Sequence, residues 1–191
     1  MKKRLAENPA ELLVVWFLAA CAAGAWGVVS GLQPPLPQIM VAGLTVLFGL
    51  VLWIVPGYRR WSGTVPLKGL VALHVTRLMA GSAFLWEMKQ GRLSPVFALP
   101  AGWGDIAVAT GALVLLAAFS PGELSGRYWY GIWNFLGLAD ILGVVVLAAK
   151  TALADPGMMR PLLELPLSLL PTFLVPVIIV SHVLLFLRLR A

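Results

Sequence analysis

The sequence predicts an all-α polytopic membrane protein, one integral membrane domain over residues 1–191 built as a bundle of about six transmembrane helices. Three observations carry this expectation. Hydrophobic residues make up 60% of the chain and charged residues 12%. The mean hydropathy is +0.92. The apolar residues also gather into runs of bilayer length. A soluble domain holds about 45–50% apolar and about 25% charged residues, and a crossing helix needs about 20 largely apolar positions.

The runs lie at approximately 11–31, 36–56, 67–88, 96–119, 128–149 and 164–187. Turn residues separate them: Pro34, Pro35 and Pro37 after the first, Pro56-Gly57 after the second, Pro121-Gly122 after the fourth and Asp155-Pro156-Gly157 before the last. Glu87, Lys89, Gly91 and Arg92 close the third. Leu18-Ala19-Ala20-Cys21 has the form of a lipoprotein cleavage box, but Glu7, Asn8, Pro9 and Glu11 interrupt the lead-in and apolar residues continue to Val29. An uncleaved first helix is therefore expected. Cys21 is the single cysteine, which excludes an intrachain disulfide and any thiolate cluster.

The net charge of +6 is concentrated at the ends of the runs, where basic residues orient spans and meet anionic headgroups. The expected partner is the lipid bilayer, not nucleic acid. With the N-terminus inside, the inner side holds Lys2, Lys3, Arg4, Arg59, Arg60, Lys68, Arg127, Arg188 and Arg190. The outer side then holds Lys89, Arg92, Lys150 and Arg160. That asymmetry predicts both termini in the cytoplasm. Tyr58, Trp61, Trp86, Tyr128 and Trp129 fall near span ends, as interfacial aromatics do.

Ionisable residues inside spans are the informative ones, because each costs about 2.5–3.5 kcal/mol at a helix centre. His74 and Arg77 stand three apart in the third span, on one face with Gly81. Asp105 follows in the fourth, Asn134 and Asp140 in the fifth, and His182 in the sixth. Arg77 and Asp140 lie near mid-span, and the histidines lie nearer the inner boundary. A buried guanidinium needs carboxylate partners and can serve two, so Arg77 is expected to pair with Asp105, Asp140 or both. The same residues could instead serve only to fix helix packing.

These six residues are the candidate polar site, for binding or passing a small solute, ion or proton. An alternative reading uses His74 and His182 as axial ligands of haem b in a redox protein. A third is a non-catalytic accessory subunit, as a homo-oligomer or beside a membrane partner. The leading reading needs no cofactor, and two histidines are too few for a metal site. No GxGxxG, Walker, GxSxG, HExxH or CxxCH motif occurs, so catalysis is not expected. Ser181 and His182, being adjacent, point about 100° apart and do not form a nucleophile–base pair.

Prolines supply the last signal. Pro161, Pro166, Pro171 and Pro176 recur every five residues into the last run, and Pro95, Pro100, Gly102 and Gly104 disturb the start of the fourth. Interior prolines free the carbonyl four residues earlier. A re-entrant segment or an outward-facing cavity at these starts is the corresponding expectation.

The strings FALPAGWGD (Phe97–Asp105), WNFLGLAD (Trp133–Asp140) and LPTFLVPVIIVSH (Leu170–His182) resemble those of a group of short bacterial multi-pass membrane proteins. The likeness runs from about His74 to the end of the chain. It implies a bacterial inner-membrane location and brings no activity with it. The chain lacks the histidine-rich pattern of the alkaline ceramidase group.

Overall fold

A computed structural model describes residues 9–190. Lys2, Lys3 and Arg4, which enter the orientation expectation, lie outside the described residues, as do Glu7, Asn8 and Ala191. Every regular element among the described residues is helical. Its elements are α1 (Pro9–Ala25), α2 (Leu36–Ile54), α3 (Pro56–Thr64), α4 (Leu67–Leu73), a 3₁₀ turn (His74–Thr76) and α5 (Arg77–Lys89). They continue with α6 (Pro95–Ala118), α7 (Leu124–Ala154), a 3₁₀ segment (Gly157–Leu163), a π-helical turn (Leu170–Leu174) and α8 (Val175–Arg190).

Five helices are long and apolar enough to cross a membrane: Leu36–Ile54, Leu67–Lys89, Pro95–Ala118, Leu124–Ala154 and Leu170–Arg190. Less than half of each apolar window is buried in the protein. The rest is a contiguous apolar exterior, with Val14, Val15, Ile39, Val46, Leu136 and Val146 among its exposed residues. Such an exterior is compatible with hydrocarbon and not with water.

The first run differs from its expected extent. Its helix stops at Ala25, and residues 26–31 turn, because Gly27 takes a φ of +72° that few other residues adopt. The second run ends at Ile54, since Pro56 starts a new short helix, the position where a missing N–H costs nothing. This helix, α3, carries Arg59 and Arg60 outward and buries Tyr58 and Ser62. The fifth span is longer than expected at both ends, as no breaker intervenes between Leu124 and Asp155-Pro156.

Two expectations about prolines resolve differently. The fourth span is one continuous helix through Pro100, with Pro95 at its first turn, so its start is not re-entrant. The sixth does not begin at 164. Residues 157–174 form the 3₁₀ segment, a turn and the π turn, and the spanning helix covers Leu170–Arg190. Pro176 has no N–H for the Thr172 carbonyl, and the Trp16 indole Nε1–H fills that place at 2.9 Å. α1 is thus pinned to the start of α8.

Long-range contacts join the same ends of the elements. At one end the Ser94 amide donates to Met158 O at 3.0 Å. At the other, Arg188 donates to Val65 O, and Arg127 donates to Leu189 O at 2.5 Å. Apolar clusters fill both levels: Phe84, Phe97, Ala101 and Met159 near the first end, and Val71, Leu115, Tyr130 and Leu185 near the second. The polar residues lie between them.

Candidate functional site

Arg77 stands at the eleventh position of the Leu67–Lys89 span, about 15 Å from one end and about 18 Å from the other at 1.5 Å per residue. The 3₁₀ turn just before it has three residues per turn, which stacks His74 directly over Arg77. Arg77 Nε donates to Asp105 Oδ1 at 2.6 Å, Nη1 donates to the Gly137 carbonyl at 3.2 Å, and Nη2 pairs with Asp140 Oδ2. The expectation of one or two carboxylates is met with two. Three helices are tied at one guanidinium, and the Arg77 side chain is 1% exposed. Asp105 is 4% exposed and Asp140 24%, so the layer opens sideways at Asp140.

Glycines allow this approach. A Cβ on Gly81 would collide with the Gly102 carbonyl, and one on Gly104 would collide with Asp140 Oδ1. α5 and α6 therefore touch backbone to backbone beside the charges, as small-residue membrane interfaces do, and α6 makes room at Gly104 for the Asp140 carboxylate of α7.

The histidine layer adjoins it toward the second end. Ser181 gives its one hydroxyl proton to Ile178 O at 2.7 Å. Its oxygen, 3.0 Å from His74 Nε2, must then accept from that nitrogen. Asn134 donates Nδ2–H to the His182 carbonyl at 3.1 Å, and its Oδ1 accepts from His182 Nδ1 at 2.7 Å. Each ring thus spends one N–H on a fixed partner. The remaining nitrogens, His74 Nδ1 and His182 Nε2, are buried acceptors with no partner among the described residues. Trp133 stands edge-on to His74 at 5.0 Å and hydrogen-bonds Val108 O at 2.9 Å, walling the layer.

The six expected residues therefore come together as two adjoining layers. Ser181, Trp133, Gly104 and Gly137 belong with them and were not among the candidates. Gly137 had a readable signal, since Asn134, Gly137 and Asp140 repeat every three residues on one face of α7. Ser181 had none, because its partner His74 is 107 residues away.

The histidine rings lie 4.2 Å apart between centroids, with planes tilted by 46°. Two imidazoles on one iron, each nitrogen about 2 Å from the metal, need centroids roughly 6 Å apart. The pair as placed does not fit a haem. Among the described residues, no three of His, Cys, Asp and Glu converge on a point that could hold a metal ion.

A family profile matches residues 34–190. The chain belongs to the family described as Domain of unknown function (DUF8737). The matched stretch holds all six candidate residues together with Ser181, Trp133 and the glycines, and it leaves out α1. No curated protein and no solved structure matches the chain.

Proposed function

We propose that this is a bacterial inner-membrane protein of six spans, both termini cytoplasmic, whose buried polar site takes up a proton or a small cation and passes it across the bundle. One observation carries the reading: the site's carboxylates outnumber its guanidinium, and its two buried atoms with no partner at all among the described residues are ring nitrogens. Arg77 faces two carboxylates, one negative charge more than it can balance. The histidines beside it add two bare ring nitrogens. An excess charge held in low dielectric is costly unless a positive charge closes the balance. The incoming charge meets Asp140 first, the partly exposed carboxylate, and the histidine nitrogens lie on the side of the second end. The redox reading is disfavoured by the ring spacing.

For the topology, α1 counts as a sixth span because apolar residues continue past Ala25 to Val29, extending its ~25 Å of helix toward the ~30 Å hydrocarbon core. Basic residues favour the second end as the cytoplasmic one. Reporters fused after Ser30, Gly91 and Pro156 should read outside, and those near Ser62, Gly122 and Ala191 inside. Outside readings at both Ser62 and Ala191 would reverse the orientation.

Transport is tested in proteoliposomes. An imposed pH gradient, with and without sodium or potassium, should collapse faster with the protein than in empty vesicles, and Asp140→Asn should remove the difference. If protein-containing and empty vesicles decay alike under every cation tried, the proposal fails.

A further inference from the structure

On the reading of the polar site as a cation path, its geometry also selects the cation. Asp105 Oδ1, the Gly137 carbonyl and Asp140 Oδ2 all accept from Arg77. The oxygens left over are one on each carboxylate. Asp140 Oδ1 has no partner among the described residues and lies against Gly104, where an added Cβ would collide with it. A potassium ion needs rings of carbonyl oxygens in place of its hydration shell, and calcium takes about 6–8 oxygens. The layer falls well short of such a cage. A proton needs a single lone pair.

The place of that proton follows from what surrounds each acceptor. On protonation, His74 or His182 would become a buried ion whose new N–H has no acceptor among the described residues. Asp105 is sealed within the bundle, whereas Asp140 keeps part of its surface open. That opening faces hydrocarbon. Asp140 is the seventeenth residue of the Leu124–Ala154 span, near its middle. Leu136, Ala139 and Gly143, within about one turn of it, are exposed, as is Trp103 next to Gly104. An ionised carboxylate there has no water and no cation of its own, since Asp105 already balances Arg77. The ionisable groups around it are Arg77 on α5 and Asp105 on α6, with His74 and His182 one layer on. We propose that the cargo is the proton and that Asp140 carries it, as a neutral carboxyl group turned toward lipid. The proton bonds to Oδ1, and Oδ2 keeps its contact with Arg77 Nη2.

Dicyclohexylcarbodiimide, an apolar reagent that enters bilayers, tests this on the full chain in liposomes. A carboxylic acid adds its O–H across one C=N bond of the reagent, and the product rearranges to a stable N-acylurea. Peptide mass spectrometry should place the adduct on Asp140 and not on Asp105, with its yield lost as pH rises. Sodium or potassium at constant pH and ionic strength should leave the yield unchanged. Labelled protein should no longer collapse an imposed pH gradient, and Asp140→Asn should carry no adduct at this position. The salt comparison needs no variant, so it decides even if Asp140→Asn does not fold. Protection by sodium or potassium would make that ion the cargo, overturning the proton while leaving the cation path intact. A pH gradient that collapses only when one of those ions is present would do the same. An unlabelled Asp140 in folded protein would overturn the assignment to this residue. Vesicles that decay like empty ones under every cation would instead remove the path on which the assignment rests.

Discussion

The charged layer and the histidine layer share helices and adjoin one another, yet they are built on opposite terms. At Arg77, every nitrogen is engaged: Nε, Nη1 and Nη2 each have a partner, on two carboxylates and one carbonyl. At the histidines, one nitrogen of each ring is fixed by Ser181 or Asn134 and the other is left without a partner. The first layer is held by interactions whose loss strands a charge. The second is held by neutral hydrogen bonds whose loss strands at most a polar atom. Substituting the first should therefore disturb the fold more than substituting the second, whereas both should disturb transport.

The widest separation is expected at Arg77. Arg77→Leu leaves the buried Asp105 and the partly exposed Asp140 without their cation and should cost about 3–5 kcal/mol, followed by thermal unfolding in detergent. Adding Asp105→Leu should recover part of that loss, because the pair is removed together. Strict additivity of Arg77→Leu with both Asp105→Leu and Asp140→Leu would mean that the layer is not coupled. The close helix approach at Gly104 comes next. Gly104→Ala pushes a methyl into Asp140 Oδ1 and should cost about 1–3 kcal/mol.

In the histidine layer, Asn134→Leu removes partners from both the ring and the backbone of His182. A loss of about 1–3 kcal/mol is expected, below that of Arg77→Leu. The smallest effect belongs to Ser181→Ala, about 1 kcal/mol, as His74 loses one neutral acceptor. If Ser181→Ala unfolded the protein as readily as Arg77→Leu, the contrast between the layers would collapse.

What was legible in the sequence follows the same division. Arg77, Asp105 and Asp140 announce themselves because lipid penalises any charge within an apolar run, and a guanidinium among carboxylates can be paired by chemistry alone. Five of the apolar runs appear as helices of spanning length, for the same reason of solvent. The neutral contacts had no such signal. Serine and tryptophan are common in spans, and nothing local marks Ser181 for His74 or Trp133 for the wall beside it. Helix limits failed where backbone chemistry competes with hydrophobicity. Gly27 ends α1 inside an apolar run, and the spaced prolines turn residues 157–174 away from regular helix. The tight use of Gly81 and Gly104 depends on which neighbour each faces, which only the packed helices decide.

The Trp16 hydrogen bond to Thr172 bears on how the molecule is made. Its two residues are 156 apart in sequence. Synthesis proceeds at about 5–20 residues per second, so Trp16 emerges some 8–30 s before the carbonyl it will meet. During that interval α1 sits in lipid without its socket, while α5, α6 and α7 can already gather around Arg77. Closure of the bundle is thus a late event, controlled by a proline whose missing N–H leaves a place for an indole. A nascent chain arrested before Thr172 emerges should leave Trp16 in a lipid-like environment, and release of the arrest should bring it into the bundle.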